Sequence, residues 1–131
     1  MAGFLVNDGE NVIANTLFEA TALQNLYVGL FSNNFTLAED TSLSDLTELA
    51  EANGYAPILI TRGTDWSVTG SVATGAQKTF TASGAAWGNV YGYFIMDAAK
   101  TTLLFAETFS DGPYNVTDGD SVKVTPVVTL S

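Results

Sequence analysis

Three aspartates carry the most explicit chemical possibility in this sequence. Asp111, Asp118 and Asp120 fall in the run Ser110-Asp111-Gly112-Pro113-Tyr114-Asn115-Val116-Thr117-Asp118-Gly119-Asp120. Calcium takes several hard oxygen ligands, and an aspartate-rich loop supplies them. The spacing departs from the EF-hand loop, however, and no glutamate follows at the closing position. Asp-Gly and Gly-Pro also make ordinary turns, because glycine supplies positive φ and aspartate bonds its own backbone. The run therefore reads first as a turn, with its aspartates as weak metal candidates and no bound metal expected.

Paired carboxylates for glycosidic cleavage find no better support. The chain has fourteen acidic residues, but no spacing singles out two of them. Glu107 alternates into a strand between Phe105 and Phe109, where a carboxylate marks a subunit contact or the wet edge of a sheet. Histidine and cysteine are both absent, which removes ordinary zinc sites, cysteine nucleophiles and Ser-His-Asp triads. Gly84-Ala85-Ala86-Trp87-Gly88 lacks the lysine and helix of a phosphate-binding loop. No enzymatic activity and no cofactor are expected. Trp66, Trp87, Tyr91, Tyr93 and Tyr114 suit three roles: a β core, an assembly interface, or a stacking platform for sugar rings.

The formal net charge is −10, with Arg62, Lys78, Lys100 and Lys123 as the only bases. Four scattered cations do not make a phosphate-neutralising stripe, so nucleic acid is not an expected partner. Nor is an anionic membrane, since no basic amphipathic segment exists. The start, Met1-Ala2-Gly3-Phe4-Leu5-Val6, has neither the basic region nor the sustained apolar run of a secretion signal. No apolar run approaches the ~20 residues that span a bilayer. The expectation is a soluble protein made in a cytoplasm.

The elements that must position these residues are mainly strands. A length of 131 residues with 47% hydrophobic and 14% charged residues suits one domain with one genuine core. Residues 8–20 read as a short helix, with Asp8 as N-cap and Ile13 and Leu17 on one face. Gln24 to Phe31 reads as a strand apolar on both faces, either buried on both sides or covered by the first helix. Residues 33–53 then form an acidic excursion, exposed between strands, in which Glu39, Asp40, Asp45, Glu48 and Glu51 surround one or two helical turns at Leu46 to Ala50. That acidity fits either docking onto a basic patch or a solvated face.

Strands are predicted at Tyr55–Arg62, Trp66–Ala73, Lys78–Ala82, Val90–Met96, Thr102–Phe109 and Ser121–Leu130. Pro57 belongs at a strand start or sheet edge, Gly70 at a bend or bulge, and Pro126 at an edge or a break. The short Asp97-to-Thr101 connection forces Val90–Met96 and Thr102–Phe109 into an antiparallel hairpin. About seven strands with one or two short helices make a mainly β fold, an antiparallel sandwich, jelly roll or small barrel. The division expected is an N-terminal arm over residues 1–23, carrying the short helix, and a single β-sandwich domain over 24–131.

The ordered features resemble small virion structural proteins of tailed bacteriophages, of the head decoration, cement or tail-associated type. The resemblance rests on Leu26-Tyr27-Val28-Gly29-Leu30-Phe31, Gly54-Tyr55-Ala56, Phe80-Thr81-Ala82, Trp87-Gly88, Tyr91-Gly92-Tyr93-Phe94-Ile95, Leu103-Leu104-Phe105 and Gly119-Asp120. It covers about residues 24–131 in spacing and residue type, without a diagnostic motif. Similar proteins often follow Gly-Tyr-Ala with a basic residue, where this chain has Pro57. The resemblance brings no catalytic residues. It implies a non-enzymatic capsid decoration protein that stabilises the head by bridging capsid subunits. The partners implied are the major capsid protein or another virion protein, and further copies of the chain in a homo-oligomer such as a trimer. The location implied is the virion. A tail, adaptor or fibre-base component and a carbohydrate-binding module for host recognition are the alternatives. Expected partner contacts are Phe4, Leu5, Val6 and Ile13 in the arm, Glu39, Asp40, Asp45 and Glu48 in the excursion, and Tyr91 and Tyr93 in the aromatic strand.

Overall fold

The computed structural model describes residues 3–18 and 25–130. The last two residues of the expected helix, the start of the Gln24 strand and the arm boundary at residue 23 lie outside them, as does the side chain of Leu17. The fold is mainly β and antiparallel, in a sandwich-like arrangement. The strands are β1 (Phe4–Leu5), β2 (Leu26–Phe31), β3 (Ile58–Ile60), β4 (Trp66–Thr69), β5 (Val72–Gly75), β6 (Lys78–Thr81), β7 (Gly88–Val90), β8 (Gly92–Met96), β9 (Leu103–Thr108), β10 (Tyr114–Val116), β11 (Ser121–Val124) and β12 (Val127–Thr129). One helix, α1 (Asn7–Phe18), and a 3-10 turn at Leu43–Asp45 complete the described elements.

The central sheet runs β1-β9-β8-β2-β3. Smaller pairings, β10 with β7, β11 with β6, and β12-β5-β4, supply the opposing layer. Side chains alternate across a strand, so β8 feeds two cores. Tyr93 and Ile95 join Val28, Leu30, Ile60, Phe80, Val116 and Val122 between the layers. Phe94 and Met96 face the other way, with Val6, Phe31, Leu37, Leu46 and Leu103. The central sheet is thus buried on both faces, as the double-sided apolar pattern of β2 predicts.

The second face is covered by the segment expected to be an exposed excursion. Leu37 and Leu46 point inward while Glu39, Asp40 and Asp45 point to solvent. The Asn33 side chain clamps this cover, donating to Asp45 O at 3.0 Å and accepting from Thr47 N at 2.8 Å. Thr41 is buried, and its Oγ1 accepts the Ala38 N–H at 2.9 Å. The helical turns expected at Leu46–Ala50 are absent; the 3-10 turn stands earlier, boxed by Ser42 and Asp45. Tertiary burial of two leucines outweighs local helix propensity here.

The N-terminal segment, expected as an arm with partner contacts, is in its described part packed onto the body of its own chain. Phe4 and Leu5 pair with Ala106 and Phe105 as the outer strand of the central sheet. Val6 is fully buried, and its N–H donates to Leu104 O at 3.1 Å. Asp8 lies in the first turn of α1 instead of capping it.

Several predicted strands are each two. Trp66–Ala73 is a tight hairpin, with Thr69 opposite Val72 and Gly70 at φ 61 in the loop. Only a positive φ at that position suits the twist of a two-residue hairpin. Val90–Met96 divides at Tyr91 into β7 and β8, which belong to different sheets. Ser121–Leu130 breaks before Val127, where Pro126 is buried, as proline requires. Pro57 immediately precedes β3, an edge strand of the central sheet. The β8–β9 hairpin forms as the short connection demands, and Asp97 Oδ1 accepts the N–H groups of Thr101 and Thr102 at 2.9 and 3.0 Å.

Candidate functional site

The aspartates of the 110–120 run are taken up in structural hydrogen bonds, two of them within the run and one reaching across to the Gly84 loop. Asp120 accepts the Thr117 N–H at 2.9 Å and the Thr117 hydroxyl at 2.8 Å, and these bonds hold its carboxyl below the ordinary range. Asp118 accepts from Gly84 N at 2.8 Å, and Asp111 from the Tyr114 hydroxyl. Among the described residues no group of three or more acidic side chains is placed to hold a metal ion.

Two half-buried glutamates receive tyrosine hydroxyls. Tyr93 donates to Glu107 Oε1 at 2.7 Å, and Tyr55 donates to Glu48 Oε2 at 2.5 Å while accepting from Leu30 N at 3.1 Å. Burial, then the glutamate, pushes both phenols far above their ordinary pKa. Each stays protonated and acts as a fixed donor, not as an acid or base. Tyr93, expected at a partner contact, is a core residue at 4% exposure. Its polar tip is satisfied within the chain, so it has nothing to offer a neighbour. Glu107, expected at a subunit contact or wet edge, is that tip's partner.

Glu48 ties the cover to the body, since Glu48 also bridges Phe31. Burial raises its carboxyl above the ordinary value of 4.5, with Tyr55 opposing and Glu51 assisting the shift. Between 4.5 and that higher folded value the native chain binds more protons than the unfolded one, so this group's contribution to stability falls as pH rises through the window. Glu48→Gln keeps an acceptor for Tyr55 and removes the charge. Urea unfolding is expected to find Glu48→Gln at least as stable as the parent at neutral pH, with the difference shrinking as pH drops toward 4.5. A less stable glutamine variant at neutral pH would contradict this.

One concave surface is an apolar groove of about 570 Å³. It opens where the β4-β5-β12 sheet diverges from α1 and the end of the central sheet. Val68, Ala73 and Val128 lie in register across the three strands, and the small central alanine deepens the groove. The facing wall includes Val12 of α1 with Leu104 and Phe105 of β9. A register shift opposite Ile95 and Met96 leaves Leu104 as the extra residue, so two consecutive β9 residues line the same space. Trp66 also lines it, half-buried. Ile13, Val68 and Leu130 are exposed at its rim, Val68 by 69%.

Of the expected contact residues, only Leu5 and Ile13 line this groove. Val6 is buried, which corrects its assignment to a contact surface. Glu39, Asp40 and Asp45 are exposed on the outside of the cover, while Phe4, Glu48 and Tyr91 are half-buried. Trp87 packs edge-on against Tyr55 and donates from Nε1 to Asn53 O at 2.9 Å. With Tyr93 buried, the five tryptophans and tyrosines do not make one exposed row. The groove residues come from distant parts of the sequence and carry no shared motif; the pairing of Trp66 with Val68 on one strand parity was the only signal. No helix among the described residues is long and apolar enough to cross a membrane. The chain matches no protein-family model, no curated protein and no solved structure.

Proposed function

We propose that this chain is a non-enzymatic structural protein of a bacteriophage virion, a capsid decoration protein that self-associates and bridges capsid subunits. The observation that supports it is the exposure of large apolar side chains on an acidic protein. Leu59 is 42% exposed on the edge strand β3, and Val127 is 43% exposed on β12, at an edge of the β4-β5-β12 sheet. Unpaired strand edges bearing apolar groups are protected in a free monomer or used for assembly. The acidic cover, with Glu39, Asp40 and Asp45 outward, suits a basic patch on a capsid subunit and keeps the protein off packaged DNA. Satisfied tyrosine–glutamate pairs and a sheet buried on both faces suit a part whose task is rigidity.

Adding the purified protein to undecorated heads tests this reading. Saturable binding and a higher rupture temperature are expected, with Leu59→Arg reducing both. Heads that neither bind the protein nor gain thermal resistance would remove the proposal.

A further inference from the structure

Asn53-Gly54 is the one Asn-Gly dipeptide of the chain, and the fold calls for it. Both residues have positive φ, 55 and 89, and the Tyr55 N–H donates to Ala52 O at 3.1 Å, the pattern of a type I′ turn. Asparagine followed by glycine adopts those two angles at the least cost. A Cβ on Gly54 would come within 2.5 Å of Thr81 O, so a larger residue does not fit there. The same dipeptide is chemically labile, because glycine leaves its own nitrogen unhindered beside the asparagine side chain. Asn53 is exposed to water. Its main-chain carbonyl, however, accepts from Ser83 N and from Trp87 Nε1, each at 2.9 Å. That carbonyl and the Gly54 nitrogen belong to one rigid peptide plane. Turning the nitrogen toward the side-chain carbon therefore pulls the carbonyl off both donors.

We propose that Asn53 is a site of spontaneous covalent modification, which the folded chain holds shut through Trp87 and Ser83. When both bonds open, Gly54 N gives its proton to solvent and bonds to Asn53 Cγ, and the side-chain nitrogen leaves as ammonia. Water then opens the cyclic imide at either carbonyl, giving aspartate or isoaspartate. Nothing is oxidised or reduced. Isoaspartate adds a methylene to the main chain, which moves the carbonyl away from its donors. Trp87 also packs edge-on against Tyr55, whose hydroxyl holds Glu48 of the cover. Conversion thus loosens the anchor of the cover, and it runs in one direction only. This inference stands or falls separately from the virion role, because its test uses the isolated protein and no phage particle.

Incubation in mildly alkaline buffer, with peptide mapping by mass spectrometry to locate the amide-to-acid conversion, provides the measurement. The urea-unfolded chain is expected to convert at Asn53 before any other asparagine. The native chain should convert there roughly tenfold or more slowly, the combined effect of two hydrogen bonds. Trp87→Phe keeps an aromatic ring against Tyr55 and removes the Nε1 donor. It should speed native conversion roughly threefold to tenfold, the effect of one such bond. Phe105→Leu, a core change in β9, controls for general loss of stability and should leave the rate near that of the parent. Should Trp87→Phe fail to fold, hydrogen exchange in fully converted parent protein decides, since the Trp87 Nε1–H should then lose its protection. The proposal is overturned by native conversion as fast as in urea, or by an unchanged rate in Trp87→Phe. It is equally overturned by equal acceleration in Phe105→Leu, or by an indole N–H still protected after conversion.

Discussion

Phe94→Ala is expected to lower the unfolding free energy by about 3–5 kcal/mol, the usual cost of removing a fully buried phenylalanine. Phe94 has no exposure and sits at the middle of the face beneath the acidic cover. It also stands directly opposite Gly29 on β2, and its ring lies over that glycine, where a Cβ would come within 2.5 Å of it. An aromatic ring laid over a cross-strand glycine supplies the packing the glycine lacks. Truncation therefore exposes two residues' worth of empty space, one on each strand. The cover is pinned by the Asn33 clamp, by Glu48 on Tyr55 and by backbone bonds from Asn7 to Glu39 and from Ser32 to Thr47, so it cannot collapse far into the gap. Domains of this kind are stable by about 5–15 kcal/mol in total, so the loss is large. Urea unfolding with an unchanged slope would measure it, and a loss under about 1 kcal/mol would show that the cover closes the cavity.

The second large effect is expected at Gly92, where the same arrangement recurs in reverse. Gly92 lies opposite Phe31, whose ring would stand 2.6 Å from an added Cβ, and the carbonyl of Glu107 lies closer still. The ring can shift; the carbonyl belongs to the β8–β9 ladder and cannot. Gly92→Ala should therefore reach or exceed the top of the ~1–3 kcal/mol range for overpacking. The double variant Gly92→Ala with Phe31→Leu separates the two obstacles. Partial recovery is expected, because only the ring contact is relieved. Full recovery would assign the whole cost to the ring and refute the role given to the carbonyl.

Neither reciprocal pair was legible in the sequence. Gly29 and Gly92 read as ordinary strand glycines, since register between two strands 60 residues apart is set by the sheet and not by any local pattern. What was legible were features with local causes. Pro57 demanded an edge, Pro126 a break, and a five-residue connection forced the β8–β9 hairpin. Period-two alternation continues through a tight hairpin or a change of sheet, so Trp66–Ala73 and Val90–Met96 each looked like one strand. The acidic segment hid its role for a related reason. Its charges outnumber its inward leucines, and only burial of Leu37 and Leu46 shows which set decides its position. The groove was least visible, because α1, the β9 bulge and three strands from two separate regions meet there. The exception was Trp66, singled out by type before its place was known.

The corner at Tyr91 has a mechanical consequence. The main chain passes from β7 in one layer to β8 in the other within a single residue, and that residue is bonded on both sides: Tyr91 N–H donates to Phe31 O, and Phe109 N–H donates to Tyr91 O, each at 2.9 Å. A pull on the outer layer is therefore carried into the central sheet along covalent bonds and not only through side-chain contact. The two layers cannot slide past each other without tearing a ladder. A chain built this way passes load from one layer to the other as one stiff unit.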